Sequence, residues 1–173
     1  MNKILVLLIS FIVVGCGYTT RGFVYDGNTL IIEPAVSKID ITSESRRYSN
    51  YTSFPILIEN RLTNELVNRF NIDGGLKVVN TDPKALKLSC EVYEYNKATL
   101  RYTDSDDVKE QRLRLYVRMK LVDSEGEDLK VKTIIGETEY FLSGANSKSE
   151  TAAQIDLIED TARRILEAVV EEW

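Results

Sequence analysis

The hydrophobic pattern separates an apolar leader from a series of amphipathic segments. One cation, Lys3, precedes an uncharged apolar run from Ile4 to Val14, which leads into Val13-Val14-Gly15-Cys16. Gly17 to Asn28 mixes glycine with polar residues and reads as a tether. Thr29 to Glu33 is a short β-branched run stopped by Pro34, which predicts a first strand. A polar stretch follows from Ser37 to Ser53, of which Ser43 to Ser53 reads as a long loop. Ile58, Leu62, Leu66 and Phe70 recur every four residues behind Pro55, with Leu57 beside them. That spacing predicts an amphipathic helix from Pro55 to about Phe70, ended by Asn71 to Gly75.

The second half alternates with period two. Leu76 to Val79 is a short second strand. Leu86, Leu88, Cys90 and Val92 then share one face, with Lys87, Ser89, Glu91 and Tyr93 on the other. Beyond Asp104–Asp107, Leu113, Leu115, Val117, Met119 and Leu121 oppose Arg112, Arg114, Tyr116, Arg118 and Lys120. Leu129 to Phe141 completes an antiparallel meander. Ala152, Ile155, Ile158, Ala162, Ile165, Leu166 and Val169 mark a last helix, behind a Ser147-x-x-Glu150 capping box. The order reads as β-α-β-β-β-α. Helices with a single apolar stripe must cover a sheet with a single apolar face. The expected fold is therefore α+β: a two-layer α/β sandwich with two helices on one face of a four-stranded, mostly antiparallel sheet. Residues 29–173 form one domain in this reading.

Composition narrows the chemistry. The formal net charge is −5, which argues against a nucleic-acid role, since that favours a strongly basic domain. Histidine is absent from the whole sequence, removing the commonest general base and metal ligand. No G-x-S-x-G elbow or S-x-x-K pair stands in for it. These observations predict a non-enzymatic protein that requires no cofactor and has no catalytic or metal site. Asp104-Ser-Asp-Asp107 lacks the glycine and terminal glutamate of a calcium loop and reads as a solvated hairpin tip. Beyond Cys16 the one remaining cysteine is Cys90, flanked by apolar positions and read as a buried small hydrophobe.

The leader is too short for a bilayer span, which takes about 20 apolar residues, and suits a signal h-region. With Cys16 behind small and branched residues it resembles a bacterial lipoprotein signal with its lipobox. That resemblance implies removal of residues 1–15, a lipid-modified Cys16 and a tether to residue 28. Gly17 is consistent with outer-membrane sorting, because no aspartate follows the cysteine to retain the chain in the inner membrane. Cys16-Gly17-Tyr18, then Arg21-Gly22, the order of elements and the terminal Trp173 together resemble the LptE family. The resemblance implies a lipoprotein held by its acyl chains on the periplasmic side of the bacterial outer membrane. Such a protein would plug and help assemble an LptD-like β-barrel, and assist lipopolysaccharide transport to the outer leaflet. The alternative is a lipoprotein scaffold of another envelope assembly, of the secretin-helper type.

One row of residues suits an anionic ligand. Arg112, Arg114, Arg118 and Lys120 lie along one strand face, alternate residues being about 6.6–6.8 Å apart. Closure of the hairpin would bring Lys97 and Arg101 beside them. Tyr93, Tyr95 and Tyr116 interleave and could stack on sugar rings or a barrel wall. Arginine binds phosphate in a bidentate fork, and lipopolysaccharide carries phosphates. Arg101, Arg112, Arg114, Arg118 and Lys120 are the expected ligand contacts. The competing reading is an ordinary wet sheet face whose cations are offset by Glu91, Glu137 and Glu139.

Overall fold

The structure, a computed structural model, describes residues 29–39, 55, 57–104 and 107–170. The leader, Cys16, the tether and the Ser43–Ser53 loop lie outside the described residues. In chain order the elements are β1 (Thr29–Ile32), β2 (Val36–Ser37), α1 (Ile58–Asp73), β3 (Lys77–Val78), β4 (Leu86–Tyr102), β5 (Val108–Val122), β6 (Asp128–Phe141) and α2 (Glu150–Val170).

The long alternations pair as the meander predicts. Leu88 lies opposite Leu121 and Val92 opposite Val117 between β4 and β5, and Val117 opposite Ile134 between β5 and β6. The sheet as a whole corrects the expected architecture. It has six strands in the order β3-β1-β4-β5-β6, with β2 also on β4. It is mixed, since β1, β2 and β3 all pair in parallel. Two physical causes account for this. α1 returns the chain before β3 begins, and such a crossover makes β1 and β3 parallel. Pro34 has no N–H, so it interrupts what would be a single strand along β4. Pairing holds at the Glu33 N–H on Leu88 O (2.9 Å) and again at the Lys38 N–H on Val92 O (2.8 Å). A two-residue strand such as β2 carries no readable alternation.

Both helices cover the same sheet face. α1 buries Ile58, Leu62, Leu66 and Phe70, the predicted stripe. It starts at Ile58 rather than Pro55, because Leu57 adopts a left-handed φ of 58°. It also runs three residues past Phe70 to Asp73. Gly74, at φ 69°, closes it by donating its N–H to Phe70 O at 3.1 Å. α2 is capped by Ser149 rather than Ser147: the Ser149 Oγ accepts the Ala152 N–H at 3.2 Å. Its buried side is also turned relative to the predicted one. Ala153, Leu157, Thr161 and Ala168 join Ile158, Ala162, Ile165 and Val169 in the core, while Ile155 is 48% exposed. Thr161 is there because β6 offers Gly136 opposite it. A Cβ on Gly136 would stand 1.9 Å from Thr161 Oγ1 and 3.0 Å from its Cα. Glycine lets helix and sheet approach this closely.

The phase of β4 changes once within the strand. A bulge between Val92 and Glu94 moves the buried positions from even to odd numbers, so Tyr95 points into the core at 2% exposure.

Candidate ligand- and partner-contact face

The side of the sheet away from the helices carries the predicted row. Side chains of cross-strand partners share a face, so Arg112, Arg114, Tyr116, Arg118 and Lys120 of β5 sit between outward residues of β4 and β6. The bulge at Tyr93 sorts the neighbouring candidates. Tyr93 stays outward, its ring 6.1 Å from that of Tyr116, with the Arg118 guanidinium 5.7 Å above it. Tyr95 and Lys97 do not join the row. Tyr95 is buried, and Lys97 points to the helix side, where its Nζ meets Glu150 Oε2 at 2.8 Å. A second irregularity between Thr99 and Arg101 returns Arg101 to the outer face beside Glu110.

All five expected ligand contacts are brought to this face, and each meets a carboxylate. Arg101 Nε lies 2.9 Å from the buried Glu110, and Arg114 Nε lies 2.6 Å from Glu137. Arg112 pairs with Glu139 and, at 3.4 Å, with Glu137. Arg118 reaches Glu91 at 3.3 Å, and Lys120 reaches Asp128 at 2.7 Å. Lys38, from beyond β2, adds a second cation on Glu91 at 3.6 Å. The hydrogen bond that Arg114 Nε donates to the Glu137 carboxylate raises Arg114 further above its already high range. The face is thus a ladder of alternating charges, not a bare cationic strip. Glu91, Glu137 and Glu139 were legible as offsetting charges; Glu110 and Asp128 were not, because their placement depends on the register beyond the bulges.

The arrangement suits binding of an anionic group. Apart from the Arg101 pair with the buried Glu110, ion pairs this open to solvent contribute about 0–1 kcal/mol each, so exchanging a carboxylate partner for a phosphate costs little. Among the described residues no group of three or more carboxylates and thiols is placed to hold a metal ion. Cys90 is buried, and desolvation pushes its thiol up to about 12, far from a nucleophile's range. Beyond the ladder, β6 turns Leu129, Val131 and Ile135 outward, each at least 40% exposed.

The far rim carries a group with no sequence signal. Asp160 of α2 accepts the Glu137 N–H at 2.9 Å, and its carboxylate also meets Arg163 and Arg164. Burial alone would raise this carboxyl, but the N–H and the two guanidiniums outweigh it and hold Asp160 below the ordinary carboxylate range. Among the described residues no helix is long and apolar enough to cross a membrane.

A family model described as LptE, lipopolysaccharide-assembly, matches residues 38–171. No curated protein matches the chain in sequence. Several solved structures resemble it. A minor lipoprotein from Acinetobacter baumannii is 18% identical, with 83% of this chain and 92% of that one covered and a TM-score of 0.50. A hypothetical protein from Chlamydia trachomatis is 14% identical, with 83% and 95% covered and a TM-score of 0.53. Rare lipoprotein B from Shewanella oneidensis is 16% identical, with 80% and 92% covered and a TM-score of 0.48. The first two likenesses establish a shared α+β fold.

Proposed function

The chain belongs to the LptE lipopolysaccharide-assembly family, and on that premise we propose that it is a non-enzymatic lipoprotein that plugs and helps assemble an LptD-like outer-membrane β-barrel. In this role it assists lipopolysaccharide on its way to the outer leaflet. Acyl chains on Cys16 hold it to the periplasmic side of the outer membrane, and residues 17–28 supply reach. The family match over residues 38–171 carries the reading. The geometry supports it in a second way. Both helices lie on one sheet face, and among the described residues nothing covers the other, leaving a broad surface for a barrel wall. On that surface Arg101, Arg112, Arg114, Arg118 and Lys120 contact anionic lipopolysaccharide by exchanging carboxylates for phosphates.

Detergent co-purification from the native envelope tests this. The expected partner is an LptD-like barrel; recovery of a secretin without such a barrel overturns the reading in favour of another envelope assembly. Cys16→Ser should accumulate as an unlipidated precursor, and a normally processed, membrane-bound variant would refute the anchor.

A further inference from the structure

β6 is the outermost strand on its side of the sheet, and its backbone groups alternate between β5 and the open side. Two bonds identify which groups point outward. The Glu137 N–H goes to Asp160 Oδ2 at 2.9 Å, and the Phe141 C=O accepts the Lys148 N–H at 2.9 Å. Odd-numbered residues therefore face the edge. These two contacts close the upper part of it. Below Glu137, the outward N–H and C=O groups of Val131, Thr133 and Ile135 meet no partner among the described residues. No bulge or proline interrupts this stretch; the nearest irregularity of β6 against β5 lies at Val122.

Both sides of this open edge are prepared for a further strand. On the outer face Val131 is 55% and Ile135 41% exposed. On the helix face a groove of about 350 Å³ runs between β6 and α2, lined by Lys132, Ile134, Arg164 and Glu167 among others. The charges there are unequal. Arg164 is bound to Asp160, and Arg163 bonds Glu167. Lys132 makes no ion pair with any described residue. An inward lysine on an edge strand is a known guard against indiscriminate pairing, because an apolar newcomer would bury its charge. It also disfavours a second copy of this chain. An antiparallel copy of β6 would bring its own Lys132 to the same side of the ladder, and like charges there destabilise. A strand with a carboxylate at that position turns the guard into an attraction.

We propose that the 131–135 edge of β6 is a strand-addition site for an extended segment of a partner protein. That segment alternates apolar side chains, which continue the Val131–Ile135 surface, with a carboxylate that pairs with Lys132 over the groove. The backbone ladder supplies affinity and the lysine supplies selectivity. The site borders the charge ladder, with Val131 opposite Lys120 and Thr133 opposite Arg118, but its test does not depend on lipopolysaccharide or on a barrel.

The full chain in detergent micelles is titrated with two short synthetic peptides of alternating valine and threonine, one with a central glutamate and the other with lysine there. Hydrogen exchange reports the backbone. The glutamate peptide should slow exchange across Val131, Thr133 and Ile135, and the lysine peptide should bind roughly five- to tenfold more weakly. Lys132→Glu should reverse that preference. Thr133→Pro should abolish the protection while leaving β4 and β5 protected, because the N–H it removes points away from β5. Absence of protection by the glutamate peptide, or equal binding of both peptides, overturns the proposal. So does protection of 131–135 without peptide, whether it fades on dilution (a second copy on the edge) or persists (another segment of this chain).

Discussion

Gly136→Ala is the most stringent test of how α2 is seated. The new methyl would lie 1.9 Å from Thr161 Oγ1, 2.8 Å from Thr161 Cβ and 3.0 Å from Thr161 Cα. Carbon atoms prefer separations of about 3.5–4.0 Å. Rotating the threonine hydroxyl, which now donates to Leu157 O at 2.6 Å, relieves the first contact only. Cβ and Cα move only with the helix, so α2 must lift from β6 by roughly 0.5–1 Å. That displacement stretches the Glu137 N–H bond to Asp160 and the Lys130 Nζ bond to Ala168 O, 2.9 and 2.8 Å as they stand. Overpacking typically costs about 1–3 kcal/mol, and contact with helix backbone places this case near 3 kcal/mol. With a urea slope of about 2 kcal/mol per molar, the unfolding midpoint should fall by about 1.5 M. Thr161→Gly removes Oγ1 and Cβ and alone costs roughly 0.3–0.5 kcal/mol in helix propensity, since threonine is itself a poor helix former, plus the lost burial. Combined with Gly136→Ala it should cost at least about 1 kcal/mol less than the sum, because the two residues share one space. A Gly136→Ala protein within about 0.5 kcal/mol of the parent, or strict additivity in the cycle, refutes the close approach.

Glu137→Gln with Glu139→Gln releases Arg112 and Arg114 from their partners and should strengthen binding to purified lipopolysaccharide roughly two- to fivefold. Arg114→Glu with Arg118→Glu should weaken it and flatten its salt dependence; unchanged binding in both variants removes the ladder from ligand contact. Asp160 titrates below its ordinary range in the folded chain. Its stabilisation is therefore complete above the unfolded carboxyl value, about 3.9, and is lost as pH falls through the lower folded value. Asp160→Asn should be less stable than the parent at neutral pH, and the gap in urea midpoint should close as pH drops below about 4; a gap that widens in acid contradicts the sign. Cys90, buried with its thiol near 12, should resist alkylation at about pH 8 in the folded chain and react fully in denaturant; rapid native labelling would contradict its burial.

The periodic elements were legible because one buried face leaves a mark at every second or fourth residue. β5 shows this in full: Leu113, Leu115, Val117, Met119 and Leu121 are all completely buried. The same alternation placed the cations of β5 together, and it identified three of the acids that offset them. The proposed lipid attachment at Cys16 and the absence of histidine also belong to the linear sequence, since they depend on residue identity and not on neighbours in space.

Phase, partners and edges depend on three-dimensional contact. The bulge at Tyr93 shifts the residues of β4 to the opposite face until the second irregularity at Thr99–Arg101, which takes Tyr95 and Lys97 out of the candidate row. Local alternation cannot report a one-residue slip caused by strand pairing. α2 turned about its axis because Gly136 admits Thr161, a contact between residues 25 positions apart. Gly136 inside a strand was a visible hint of close approach, but not of what approaches. The register alone pairs each cation with its carboxylate, and the docking of α2 alone closes the β6 edge at Glu137 while leaving 131–135 open. Hydrophobic periodicity is a property of one segment and survives in sequence. Register, helix rotation and edge protection are properties of two segments together, and exist only once the sheet and helices have packed.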